Sequence, residues 1–157
     1  MKIAVIGGGH GCHAAAADLS EQGHEVRLWR RDAAALGAIK NNGAIRLIDT
    51  AGTRSVPLHL VTTDVGEAVA GAQMVLSPLP ATAQESIAGI IAPYLSDGQV
   101  VAIPPGTLGA LAMSRIIRRA GNRADLAFVE SGTLPYLARL RENDLVAISA
   151  RATRLPS

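Results

Sequence analysis

The sequence predicts an α/β fold: a doubly wound, mostly parallel sheet with a small β-hairpin insertion. Apolar segments of strand length alternate with helix-like segments along 157 residues, a length typical of one domain. Hydrophobic residues make up 48% of the chain but aromatic residues only 3%, so the core must consist of Ala, Val, Ile and Leu, as in sheets covered on both faces. The loops after the strands are rich in Gly, Pro, Ser, Thr or charge, and lie at 7–12, 30–32, 78–82, 104–107 and 130–136.

Local signals place each element in order. Gly23 ends the first helix, Asp32 caps the second, and residues 49–53 have the composition of a hairpin loop. The last strand, 145–149, is expected to form an exposed edge of the sheet that favours self-association. The predicted strands are 2–6, 25–29, 44–48, 54–61, 73–77, 99–103, 125–130 and 145–149, and the predicted helices are 10–22, 32–40, 63–70, 82–93 and 107–120.

A glycine motif, Gly7-Gly8-Gly9-His10-Gly11-Cys12, lies between the first strand and the first helix. A strand, a glycine turn and a helix in this order are typical of a dinucleotide-binding βαβ unit. Gly7 would form the tight turn, and Gly9 would let the backbone approach a pyrophosphate at the helix N-terminus. Cys12 stands where the motif prefers Gly or Ala, a mild departure because cysteine is small and packs like a hydrophobic residue.

The end of the second strand indicates which nicotinamide cofactor fits. NAD-binding domains usually have Asp or Glu there to bind the ribose hydroxyls, whereas this chain has Arg30 and Arg31. A guanidinium can pair with a 2′-phosphate in a bidentate way. We therefore expect NADP(H) to be favoured, with NAD(H) possible, although both arginines could simply face solvent. Asp32 is the one nearby carboxylate that suits NAD, but its position fits a helix cap better.

Two further loops carry candidate cofactor contacts. Leu79, Pro80 and Thr82 follow a strand and are predicted to line the ribose and nicotinamide side, although the same loop could be only a helix entry. Glu130 ends another strand and could touch nicotinamide or substrate. Alternatively, it is a solvated carboxylate or the partner of Arg139 in an ion pair.

Other classes of site find little support. His10, Cys12, His13 and His24 do not converge with the geometry of a metal site, and the motif buries Cys12, so neither a metal centre nor a catalytic nucleophile is expected. A net charge of +2 does not indicate nucleic-acid binding. One cysteine excludes an internal disulfide and fits a reducing compartment, and no apolar run reaches the ~18 residues of a membrane span. We therefore expect a cytoplasmic protein.

Together with the glycine motif, two later motifs carry a family resemblance. Pro105-Gly106-Thr107-Leu108-Gly109 and Glu130-Ser131-Gly132-Thr133-Leu134-Pro135-Tyr136, followed by Arg139, resemble the N-terminal NAD(P)-binding Rossmann domain of the octopine/nopaline (opine) dehydrogenases. The chain is more distantly similar to ketopantoate reductase and glycerol-3-phosphate dehydrogenase. It departs from the opine family at His10, where Asn is usual, and at Cys12, where Ala is usual.

The resemblance implies an oxidoreductase that condenses an amino acid with a 2-oxo acid. Such enzymes have a second, helical domain that supplies much of the substrate site and a catalytic His, and residues 1–157 match only the cofactor-binding domain. We therefore expect this chain to bind cofactor without turnover, to contain no catalytic residue, and to act on its substrates only with the second domain. Alternatives are a ketopantoate-reductase-like 2-oxo acid reductase domain and a non-catalytic nucleotide-binding module. The sequence does not specify which amino acid or oxo acid is used.

Overall fold

The computed structural model describes residues 1–152, which form two β-sheets and five α-helices. A 3₁₀ turn over Ala92–Tyr94 follows the fourth helix, and within residues 1–152 no helix has both the length and the hydropathy needed to cross a membrane. The strands are β1 Lys2–Ile6, β2 Glu25–Trp29, β3 Ala44–Asp49, β4 Gly52–Pro57, β5 Leu60–Thr62, β6 Met74–Leu76, β7 Val100–Ile103, β8 Ala127–Glu130, β9 Tyr136–Glu142 and β10 Leu145–Arg151. The helices are α1 His10–Glu21, α2 Ala33–Asn42, α3 Val65–Val69, α4 Ala81–Ile91 and α5 Gly109–Arg119.

The main sheet has six parallel strands in the order β5-β2-β1-β6-β7-β8. Alternate side chains of β1 point to opposite faces: Ile3 and Val5 pack with α1 and α2, while Ala4 and Ile6 pack with the cluster beneath α3, α4 and α5. The sheet is thus covered on both faces, and β1 lies near its centre. This confirms the predicted doubly wound fold.

A second sheet of four strands, in the order β4-β3-β10-β9, is larger than the hairpin insertion that the sequence predicts. The antiparallel pairing of β3 with β4 confirms the hairpin itself. Strand β9 is missing from the prediction. Its signal is present in the sequence, because Tyr136, Ala138 and Leu140 alternate with more polar or exposed residues and the turn Asn143-Asp144 leads into β10.

Two further strand predictions are wrong. The segment 54–61 is not one strand: β4 pairs with β3 in the second sheet, and β5 pairs with β2 in the main sheet, with Leu58 and His59 between them. The last strand is not an exposed edge either, because β10 lies between β3 and β9 and pairs with both. Self-association through that edge therefore loses its structural basis.

Helix α1 lies between the two sheets, with contacts to β1 and β2 on one side and to β3, β4, β9 and β10 on the other. Its residues 11–18 are all buried, and Asp18 among them carries a charge. Asp18 accepts hydrogen bonds from the Tyr136 hydroxyl at 3.1 Å and from the Arg151 guanidinium at 2.5 Å. Arg151 also pairs with Asp49 at 2.8 Å. These bonds tie α1 to the second sheet.

We predict that Asp18→Ala lowers the free energy of unfolding by about 2–3 kcal/mol, because it removes a buried acceptor and leaves the half-buried Tyr136 hydroxyl and one N–H of Arg151 without their hydrogen bonds. Urea denaturation followed by circular dichroism measures the change. The control is Glu142→Ala, which removes an exposed ion pair with Arg46 and should cost at most about 1 kcal/mol. Equal decreases in the free energy of unfolding in the two variants would contradict the role given to Asp18.

Candidate functional site

The glycine loop between β1 and α1 is built around close contacts that exclude larger residues. Gly7 has φ +124°, and a Cβ atom there would lie 2.7 Å from Leu79 Cδ2 and 2.9 Å from Cys12 Sγ. The Gly7 N–H donates to the Trp29 carbonyl at 2.9 Å, which joins this loop to the end of β2. The loop therefore lies where the carboxyl ends of β1 and β2 meet, as the motif predicts.

The N-terminus of α1 is open to ligands. Gly9 is its exposed N-cap residue, and no side chain of residues 1–152 caps the helix there. A Cβ atom at Gly9 would have no heavy atom of the described chain within 4 Å. At Gly11, in contrast, a Cβ would lie 3.0 Å from Leu134 and 3.2 Å from the Pro78 carbonyl oxygen. The unpaired N–H groups and the helix dipole make this end suitable for an anion.

Cys12 is fully buried beneath the loop, and its Sγ lies 3.7 Å from the Ile6 carbonyl oxygen. Burial is the main reason that its pKa is raised to about 12, so the thiol stays protonated at neutral pH. A protonated, inaccessible thiol is not a nucleophile. Among the described residues, no group of three or more His, Cys, Asp or Glu side chains is arranged to hold a metal ion.

Two histidines of α1 have different surroundings. His13 is fully buried, with Nδ1 3.0 Å from the Gly9 carbonyl oxygen and Nε2 without a partner in residues 1–152. Burial is the first cause that lowers its pKa, so His13 is held in the neutral form. His10 is exposed, and its Nδ1 accepts the Leu140 backbone N–H at 3.0 Å. In neutral His10 the ring proton is therefore on Nε2.

Two clefts border different parts of the glycine loop, and Leu79 lines both. The smaller, of about 320 Å³, is also lined by Gly7, Gly8, Trp29 and the Arg30–Asp32 segment. The larger, of about 420 Å³, contains Gly9, His10 and Gly11 together with Pro78, Pro80, Pro105 and the start of β9, including Tyr136 and Arg139. Trp29 was not a sequence candidate, although its position as the last residue of β2 is a signal that would have identified it.

Arg30 lies directly over the glycine loop. Its aliphatic carbons pack against Gly8, where a Cβ atom would come within 2.8 Å of Arg30 Cγ. Its Nη1 atom is buried and has no hydrogen-bond partner in the described chain. Arg31 is exposed and donates to Ser86 Oγ at 3.2 Å. Asp32 accepts from the N–H groups of Ala34 and Ala35 at 3.0 and 3.2 Å, so it caps α2 as the sequence predicts.

The remaining candidates differ in their position. Pro80 is the N-cap residue of α4 and lines the larger cleft, whereas Thr82 is exposed and lines neither of the two clefts. Glu130 accepts the Leu108 N–H at 3.3 Å and the Ala110 N–H at 2.9 Å. Its carboxylate is thus neither free in solvent nor, within the described residues, ion-paired with Arg139. Its contact with a cofactor stays a prediction.

Comparison with known proteins identifies the family. Residues 2–129 match the sequence family described as NAD-dependent glycerol-3-phosphate dehydrogenase N-terminus. The chain belongs to this family. It is also 33% identical over 147 residues to an opine dehydrogenase of Arthrobacter sp. (strain 1C), covering 94% of this chain and 41% of that protein.

Two solved structures share the fold. Octopine dehydrogenase in complex with NADH and agmatine superposes with a TM-score of 0.82 at 24% identity, over 99% of this chain and 41% of that one. A ketopantoate reductase from Ralstonia eutropha JMP134 superposes with a TM-score of 0.72 at 21% identity, over 94% of this chain and 46% of that one. The chain thus spans less than half the length of these relatives. The resemblance to opine dehydrogenases and to glycerol-3-phosphate dehydrogenases is confirmed in sequence, and the more distant resemblance to ketopantoate reductase is confirmed in fold.

The buried neutral His13 leads to a prediction on pH dependence. An unfolded His titrates near 6.5, and the folded pKa is lower, so at pH values between the two the unfolded chain binds a proton that the folded chain does not. The contribution of neutral His13 to stability is therefore fully present above pH 6.5 and is lost as the pH falls toward the folded pKa, by at most about 1.4 kcal/mol per pH unit. His13→Gln should flatten this slope between pH 5 and 7 in urea titrations. His24→Gln is the control and should retain it; an unchanged slope in His13→Gln would refute the assignment.

Proposed function

We propose that this chain is the NAD(P)-binding domain of an opine-dehydrogenase-like oxidoreductase and that its site favours NADP(H). The observation that carries the cofactor preference is the buried Nη1 of Arg30, which has no partner in residues 1–152. A buried guanidinium N–H without an acceptor is costly, and a phosphate oxygen is a strong acceptor for it. Arg30 lies in the smaller cleft beside Gly8 and Trp29, where an adenosine ribose would bind.

The two clefts accommodate the two halves of a dinucleotide. The adenosine half would bind in the smaller cleft, and the pyrophosphate would bind at Gly9, His10 and Gly11, where the N-terminus of α1 supplies backbone N–H donors. The nicotinamide half would then enter the larger cleft between Pro80 and Pro105. Leu79, which lines both clefts, would contact the middle of the ligand. The bound cofactor supplies the hydride chemistry, and this chain would bind and orient it.

NADP(H) is preferred over NAD(H) in this proposal for two reasons. Arg30 and Arg31 both follow β2, so two positive charges stand where an NAD-binding domain usually has a carboxylate. The carboxylate that follows these arginines, Asp32, already accepts two backbone N–H groups of α2. It is therefore poorly available to the ribose hydroxyls. A cytoplasmic location, which the single cysteine favours, belongs to the same proposal.

Arg30→Gln should weaken NADPH binding by about 10- to 150-fold, because it removes a charge-assisted pair worth about 1.5–3 kcal/mol, and should change NADH binding little. Trp29 is the single tryptophan and lines the smaller cleft, so its fluorescence reports both titrations. Asp32→Ala should cost about 1 kcal/mol of stability as a lost helix cap and leave the NADPH/NADH ratio unchanged.

The control for Arg30→Gln is Arg115→Gln, at an exposed position on α5 that lines neither cofactor cleft. It should leave both dissociation constants unchanged. Equal affinities for NADPH and NADH in the unmutated chain would refute the preference. If Arg30→Gln weakened the binding of NADPH and NADH equally, this arginine would not be the group that recognises the 2′-phosphate.

The 157-residue chain should bind cofactor without sustained oxidation of NADPH in mixtures of amino acids and 2-oxo acids. Hydride transfer needs a positioned substrate and an acid–base group beside the reacting carbon. In the proposed family both come largely from a second domain, and the buried, neutral His13 cannot replace them. Absorbance at the NADPH band measures turnover. Sustained turnover by the pure chain would contradict this expectation, and turnover of ketopantoate with NADPH would favour the ketopantoate-reductase alternative.

A further inference from the structure

The turn between β7 and α5, residues 105–109, has an unfavourable backbone conformation. Thr107 and Leu108 both have positive φ, 54° and 65°, a region that residues with a side chain seldom occupy. Leu108 gains no burial in return, because it is 76% exposed. Such a conformation persists only when surrounding groups enforce it, and it is most common at ligand sites.

Gln84 of α4 fixes the turn from one side. Its side chain is buried, and its Nε2 donates to the Pro105 carbonyl at 3.2 Å and to the Gly106 carbonyl at 3.1 Å. The contact is close: a Cβ atom at Gly109 would lie 2.7 Å from Gln84 Cδ. A buried amide that satisfies two carbonyl groups of one turn determines where that turn lies.

Glu130 of β8 fixes the same turn from the other side. It accepts the N–H groups of Leu108 and Ala110, so the charged carboxylate binds the first turn of α5. A Cβ atom at Gly106 would come within 2.6 Å of Glu130 Cδ. Gln84 thus donates hydrogen bonds to carbonyl groups of turn 105–109, and Glu130 accepts hydrogen bonds from N–H groups at the end of the same turn and the start of α5.

The turn contributes a wall to the larger cleft through its first residue, because Pro105 lines that cleft together with Gly9, His10 and Pro80. This wall is at the end of β7, whereas Arg30 is at the end of β2, on the other side of β1. We propose that Gln84 and Glu130 are positioning residues that hold turn 105–109 against the nicotinamide ring of the bound cofactor. This inference rests on the proposed function. Both side chains would act on the cofactor indirectly, by fixing the backbone of the turn.

The test compares two ligands that differ only in the nicotinamide ring. Trp29 fluorescence gives dissociation constants for NADPH and for 2′-phospho-ADP-ribose, which lacks nicotinamide. Gln84→Met and Glu130→Gln should each weaken the binding of NADPH by about tenfold and the binding of 2′-phospho-ADP-ribose by less than about twofold. The hydrogen bonds lost in these variants position only the turn that would contact the nicotinamide ring. Glu85→Gln, at an exposed neighbouring position on α4, should leave both constants unchanged.

Gly106→Ala provides a second route, because its Cβ would press against Glu130 without removing either polar side chain. It should show the same selective loss, whereas Gly132→Ala should not, since a Cβ there meets no atom of the described chain within 4 Å. If the variants bound both ligands equally more weakly, or bound neither more weakly, the positioning role alone would be overturned. Failure of the unmutated chain to bind either ligand would overturn it together with the proposed function.

Discussion

The packing of α1 between two sheets is the constraint on which the rest of the structure depends. Most helices of an α/β domain bury one face, but residues 11–18 of α1 are all buried, so every side of the helix meets protein. A run of small side chains allows the two sheets to approach the helix closely from both sides. This explains the run Ala14–Ala17, the tolerance of Cys12 at a glycine or alanine position, and the need for a polar network around the buried charge of this helix, Asp18.

The same packing creates the candidate site. Because the second sheet lies against α1, β9 runs beside the N-terminus of the helix and supplies a wall of the larger cleft through Tyr136 and Ala138. The hydrogen bond from Leu140 to His10 joins this strand to the glycine loop. The second sheet therefore contributes directly to the site. Changes in the Asp18–Tyr136–Arg151 contacts should consequently affect the cleft as well as stability.

The sequence predicts well those parts of the molecule that depend on neighbouring residues. The strand–glycine–helix unit from Lys2 to Glu21, the strand Glu25–Trp29 and the Asp32 cap all follow from local pattern, and all are found. The division of segment 54–61 into two strands does not follow from local pattern. Strands β4 and β5 are both short extended segments, and only their distant partners, β3 and β2, distinguish them. The environment of Glu130 was unpredictable for a similar reason, since its two donors lie in a turn about twenty residues away.

A crystal structure of the chain with NADPH would test the central claim most directly. The account predicts the 2′-phosphate on Arg30 in the smaller cleft, the pyrophosphate on the backbone N–H groups at the N-terminus of α1, and the nicotinamide beside Pro105 in the larger cleft. The 2′-phosphate should take the Arg30 Nη1 atom as a donor. A pyrophosphate bound away from the Gly9–Gly11 backbone, or a dinucleotide with its ends reversed between the two clefts, would contradict it.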